Sequence, residues 1–115
     1  MPLLKLETTV GMSEETRNTL LASLSKIIAQ TVGKPEQYVM VTVGTSAILM
    51  AGKEGEAAFG DIRSIGGLSH EVNQQLSQKI GQLLKESLGI PQNRVYLNFT
   101  AIQASNWGWN GDTFG

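Results

Sequence analysis

The chemistry this chain could do begins at its second residue. Removal of Met1 ahead of the small Pro2 leaves a secondary amine at the terminus, its lone pair free of amide conjugation. A free α-amino group titrates near pH 8. A partly apolar pocket and a neighbouring cation both disfavour the ammonium form and lower that value. An amine that is neutral near pH 7 is a competent general base for a carbon acid. The plainer alternative is a chain that simply starts with Met-Pro.

Lys34 lies just past a helix cap, in a loop that leads into a strand. A lysine there can hold a substrate carboxylate and depress the pKa of a nearby amine. As a solvated cation it equally suits the negative end of the helix dipole. Tyr96 and Asn98 share the strand face turned away from the helices, where their polar tips can meet a ligand or a neighbouring subunit, or simply make ordinary cross-strand pairs. In Asn106-Trp107-Gly108-Trp109-Asn110 two large rings need cover from a partner subunit or a ligand. Stacking of sugars or bases is a further use of such rings, but no basic groove accompanies them. The Ser64-Ile65-Gly66-Gly67 turn can present backbone N–H groups to an anion. His70 opens a helix and reads as a solvated surface residue.

Composition excludes several function classes. There is no cysteine, which removes disulfides, thiolate metal sites and cysteine nucleophiles, and the single histidine removes a His-rich metal site. The net charge is −1, with nine scattered Lys and Arg residues and no basic footprint for nucleic acid or an anionic membrane. No apolar run approaches a membrane span, and the first residues lack the basic and apolar regions of a signal peptide. The expected compartment is the cytoplasm, with signal-independent export left open.

The elements that must position these residues follow from an internal repeat. Shifted by 56 residues, Gly33-Lys34-Pro35-Glu36-Gln37 falls on Gly89-Ile90-Pro91-Gln92-Asn93. Val39, Val41 and Val43 fall on Val95, Leu97 and Phe99, and Leu20, Leu24 and Ile28 on Leu76, Ile80 and Leu84. The chain therefore reads as two copies of one supersecondary unit, each strand, helix, strand. The pseudo-repeats span about 2–44 and 58–101 of a single domain over 1–115, with a tail at 102–115. Helices are expected from Ser13 to Val32 and from Ser69 to the Gly89 cap, each with a serine N-cap and a glycine C-cap. Leading strands are expected at Leu3–Thr9 and Ala58–Ser64. A βαβ crossover is right-handed, so this α/β chain predicts a four-stranded sheet with two helices on one face. The other face and the outer edges are left open, which predicts an oligomer.

These pieces in this order resemble the macrophage migration inhibitory factor family of the tautomerase superfamily. The match runs through Met1-Pro2, Gly33-Lys34-Pro35 with Gln37-Tyr38, Ser64-Ile65-Gly66, Arg94-Val95-Tyr96 with Asn98, and Gly108-Trp109-Asn110 with Thr113-Phe114. The resemblance implies a homotrimeric barrel with three sites at subunit interfaces. It casts Pro2 as catalytic base, with Lys34 and the Ile65 backbone contacting carboxylate and carbonyl. Tyr96 and Asn98 come from the adjacent subunit, Trp109 and Phe114 line an apolar pocket, and Tyr38 stands at its mouth. The implied reaction is keto–enol tautomerisation of an aryl 2-oxo acid such as phenylpyruvate, with dopachrome-like compounds as further substrates and with no cofactor or metal.

The sequence also departs from the animal cytokines of that family. Their CxxC pair is replaced by Ala57-Ala58-Phe59-Gly60, and Met12 stands where they display a basic residue. Thr100 replaces an aromatic, and Trp107 a smaller apolar residue, with consequences expected for pocket shape. The alternative reading is a cytokine-like homologue that binds an animal receptor, with catalysis secondary. A third is a structural trimer locked by its Trp-rich tail.

Overall fold

The computed structural model describes residues 1–115. Two β-α-β units follow one another: β1 (Pro2–Thr8), α1 (Glu14–Val32) and β2 (Met40–Thr45), then β3 (Ala58–Ser64), α2 (His70–Leu88) and β4 (Val95–Ala101). In each unit a single 3₁₀ turn, Glu36–Tyr38 or Gln92–Arg94, follows the proline and leads into the second strand. The two turns lie 56 residues apart and so obey the repeat. A short hairpin of β5 (Gly108–Trp109) and β6 (Asp112–Thr113) ends the chain.

The helix ends are set where the sequence places them. Ser13 Oγ accepts the Thr16 N–H at 3.1 Å, and Ser69 Oγ accepts that of Val72 at 3.1 Å. Each bond satisfies one of the free N–H groups of a first turn, and Glu14, Glu15 and Glu71 complement its positive end. Gly33 and Gly89 close the helices in the left-handed conformation, at φ +75° and +69°.

The sheet order is β2-β1-β3-β4, with β1 parallel to β2, β3 parallel to β4, and the two central strands antiparallel. Both helices cover one face. Leu20, Leu24 and Ile28 of α1 and Leu76, Ile80 and Leu84 of α2 join Leu4, Leu6 and Ile62 in a single buried core. Full burial of one such side chain contributes about 1.5–3 kcal/mol. On β3 the helix-facing positions are Ala58, Gly60, Ile62 and Ser64, all buried. Any Cβ on Gly60 would lie 2.6 Å from Leu97 Cδ2 and 3.2 Å from Leu4 Cδ1, so a side chain there would force Leu97 to repack.

β1 starts one residue earlier than expected and ends one earlier. Pro2 pairs with Ser64, and a proline is tolerated as the first residue of a strand because no ladder donor is needed there. The opposite face carries Leu3, Lys5, Met40, Thr42, Phe59, Asp61, Arg63, Tyr96 and Asn98, with no second layer over it in this chain. Met40 is 62% exposed and Tyr96 66% exposed. The outer strands β2 and β4 each have a free edge. No helix is long and apolar enough to cross a membrane.

Candidate active site

Pro2 is fully buried, with its neighbours in the sheet at the end where β1 starts and β3 and β4 finish. The terminal residue ahead of it enters a cavity of about 320 Å³ lined by Met1, Lys34, Pro35, Tyr38, Ile65, Ala104 and Phe114. Three separate parts of the chain meet here. The loop after α1 brings Lys34 and Tyr38, the turn after β3 brings Ile65, and the tail brings Ala104 and Phe114.

The terminal ammonium, carried by Met1, is held below the ordinary value of an α-amino group. Burial is the main cause, and the charge of Lys34 adds to it. A largely apolar cavity with one ammonium beside the chain terminus is thus an environment that favours a neutral amine. The Met1 carbonyl accepts the Ile65 N–H at 3.3 Å. Removal of Met1 takes that acceptor away and turns the N–H into a free donor beside Pro2.

The turn that carries Ile65 is tightly built. Ser64 is buried, and its Oγ donates to the Gly66 carbonyl at 2.7 Å while its own carbonyl accepts the Ile102 N–H at 2.9 Å. Aromatic rings form one wall of the site. Trp109 stacks on Phe114 with centroids 5.7 Å apart and planes at 8°, and Tyr38 meets Trp109 edge-on at 6.5 Å. The hairpin holds them in place: Asn110 and Gly111 turn it with φ of +53° and +80°, and the Phe114 N–H donates to the Trp107 carbonyl at 3.2 Å.

Lys34, Tyr38, Ile65 and Phe114 therefore line one cavity with Met1, while Pro2 is the next residue of the chain and Trp109 packs on Phe114 and Tyr38. Tyr96 and Asn98 do not join them. Pro2 is level with Ser64 and Ala101, whereas Tyr96 and Asn98 lie back along β4. At about 3.3 Å per residue, Asn98 is about 10 Å and Tyr96 about 17 Å down the strand from that level. Tyr96 instead borders an apolar hollow of about 250 Å³ with Leu49, Met50, Phe59 and Arg94. Trp107 also stands apart. It lines a depression with Leu3, Arg63 and Ile102 and does not border the Lys34 cavity of its own chain.

Two contributions escaped the sequence. Ala104 reaches the cavity from a 3₁₀ turn of the tail, for which no periodic signal exists. Arg94 donates to the carbonyls of Met50, Lys53 and Glu56 at 3.3, 3.0 and 2.9 Å, clamping the connection between the two repeats. His70 is exposed at the start of α2 and belongs to neither cluster.

Comparison with known proteins decides the kinship. The family model for macrophage migration inhibitory factor (MIF) matches residues 1–115. The chain belongs to the MIF family. A macrophage migration inhibitory factor homolog of Trichuris trichiura is 42% identical over 115 residues, covering 99% of this chain and all of that protein. Among solved structures, the MIF homologue of Prochlorococcus marinus superposes with a TM-score of 0.93 at 33% identity, covering 98% of this chain and 99% of the other. The MIF-like protein of Entamoeba histolytica gives 0.94 at 34% identity, covering 98% of both. Within Ala57-Ala58-Phe59-Gly60, Ala57, Ala58 and Gly60 are buried, and the chain has no cysteine to oxidise.

Proposed function

We propose that this MIF-family chain is a tautomerase of aryl 2-oxo acids of the phenylpyruvate type, with the Pro2 amine as general base once Met1 is removed. The observation that carries the reading is the shared cavity of chain terminus and Lys34, in which burial and the lysine charge both lower the pKa of the amine that Met1 carries, one residue from the proposed base.

The chemistry needs only groups that the protein supplies. The substrate carboxylate pairs with the Lys34 ammonium and accepts the N–H of Ile65 that Met1 no longer occupies. The aryl ring lies against Tyr38, Trp109 and Phe114, which exclude water from the reacting carbon. The Pro2 nitrogen takes the proton beside the carbonyl. The C–H electron pair becomes the C=C bond, and the carbonyl π pair moves to oxygen. The same nitrogen then returns the proton to that oxygen, giving the enol, and the reverse sequence gives the ketone. No electrons leave the substrate, so no cofactor enters.

Developing charge on the carbonyl oxygen calls for a polar donor, and Tyr96 and Asn98 have the right chemistry in the wrong place within one chain. Their exposure on the uncovered sheet face fits delivery from an adjacent copy. A homotrimer in which each copy lends β4 to its neighbour's cavity supplies them and covers the open edges as well. We read the place of action as the cytoplasm, with signal-independent export open to a protein of this size.

The test is phenylpyruvate tautomerisation followed by ultraviolet absorbance, for the native protein and Pro2→Gly, with intact mass showing loss of Met1 in both. Removal of a general base lowers the rate about 10²–10⁴-fold. A folded, correctly processed native protein without turnover, or a Pro2→Gly variant that keeps the native rate, overturns the reading.

A further inference from the structure

The Ser64–Gly67 turn has a second feature besides the N–H it presents. Lys34 lies across it. A Cβ built on Gly66 would sit 3.7 Å from Lys34 Nζ, and one on Gly67 would sit 3.4 Å from Lys34 Cε. The same Gly67 Cβ would lie 2.6 Å from Val32 Cγ1 and 2.9 Å from the Val32 carbonyl oxygen. Both glycines have left-handed backbone, at φ +72° and +81°. The turn thus approaches the end of α1 closely enough to leave a bare groove, and the lysine stem and ammonium run along it.

We propose that Gly66 and Gly67 are positioning residues that seat the Lys34 ammonium at the rim of the cavity. Gly67 lets the turn close on Val32, so the groove lies directly under the lysine stem. Gly66 leaves the space beside the ammonium empty of side-chain atoms. Ser64, buried and bonded to the Gly66 carbonyl, holds the turn in this shape. A lysine side chain has about 2 kcal/mol of rotamer freedom, and a surface lysine in a loop uses it. A floor of two glycines lets the stem lie flat in one place, close to the carboxylate position and to the terminal amine. The inference rests on the reading of Lys34 as the substrate's cation.

Two substitutions at Gly66 separate seat from backbone. Alanine strains a left-handed position but adds only a Cβ at ordinary contact distance from Nζ. Asparagine tolerates that conformation better and adds three further heavy atoms in the region the ammonium occupies. If the groove matters, Gly66→Asn is the more harmful change; if only the backbone matters, Gly66→Ala is. With phenylpyruvate as probe, Gly66→Asn is expected to raise KM about tenfold, as partial loss of a charge-assisted contact does, with kcat changed much less. In a Lys34→Gln background the same substitution is expected to add nothing. The groups facing the amine in the cavity are Lys34 and Tyr38, so displacement of Lys34 also raises the Pro2 pKa. Carbon-13 labelling of proline and an NMR titration of Pro2 read that shift without any turnover.

A KM loss as large in Gly66→Ala as in Gly66→Asn, or one that persists in full without Lys34, overturns the proposal. Should Gly66→Asn fail to fold, Ser64→Ala takes its place. It adds no atom, loosens the turn, and is expected to raise KM only while Lys34 is present. Absence of phenylpyruvate turnover in the native protein would sink the functional reading alone. The Pro2 titration would still decide the seat, because an unshifted pKa in the folded variant removes it.

Discussion

In the proposed mechanism the single charge of Lys34 has two separable effects. Burial and the lysine charge together lower the pKa of the terminal amine on Met1, burial being the larger cause, and the same two causes are expected to act on a Pro2 terminus. A lowered pKa means the neutral base is already populated at a pH where an ordinary terminus is still protonated. Activity should rise as pH rises through the amine's pKa. Lys34→Gln removes the smaller of the two causes, so the rising limb of the kcat profile is expected to move to higher pH. It remains below that of an ordinary α-amine, because burial is untouched. The same substitution removes the carboxylate's partner and should raise KM roughly tenfold or more. A KM that rises with an unmoved limb would separate the lysine from the amine. These roles were legible only in part. The residue types and the family resemblance point to Pro2, Lys34 and Ile65. The bond from Ile65 N–H to the Met1 carbonyl, and the glycine floor under Lys34, join residues more than thirty positions apart. No periodicity or local propensity encodes such meetings.

At the level of elements, the helices and the sheet were readable because their determinants are local. Ser13, Gly33, Ser69 and Gly89 mark helix ends by capping chemistry, and the alternation of Val39, Val41 and Val43 fixes which face of β2 meets the helices. The tail was less readable, since a hairpin of two-residue strands has no period to detect. Its task is nevertheless specific. It holds Trp109 against Phe114 and Tyr38. An aromatic pair is worth about 0.5–1.5 kcal/mol beyond its buried area. Trp109→Ala should therefore raise KM for phenylpyruvate by roughly two- to tenfold and leave a 2-oxo acid without a ring largely unaffected. Equal losses for both substrates would mean that the ring shapes the site instead of binding the aryl group. The inter-repeat connection depends on Arg94 in the same way. Its three bonds to backbone carbonyls have no counterpart in the other half, where the residue in register is Tyr38. Arg94→Ala should cost about 1–3 kcal/mol and speed hydrogen exchange across residues 50–56, with the helices unchanged.

At the scale of the whole molecule, the proposed trimer accounts for both the missing donors and the uncovered sheet face. Within a chain, Pro2 and Asn98 are separated along the sheet; in the proposed trimer each cavity takes Pro2 from one copy and Asn98 from the next. Sedimentation or native mass spectrometry should show a trimer for the native protein. The sharper test mixes two inactive proteins. Pro2→Gly lacks the base, and Asn98→Ala lacks the donor. Unfolded together in equal amounts and refolded, they form hybrid trimers. If the two residues belong to different subunits, chance places an intact Pro2 beside an intact Asn98 in about one quarter of the sites, since each has a one-half chance of being native. The mixture should then recover up to about a quarter of native activity, although each parent alone is defective. If both residues served a site within one chain, every site in every hybrid would still contain one defect. Activity would not exceed the mean of the parents. That outcome, from hybrids shown by mass to have formed, would rule out the shared site even if the trimer itself were real.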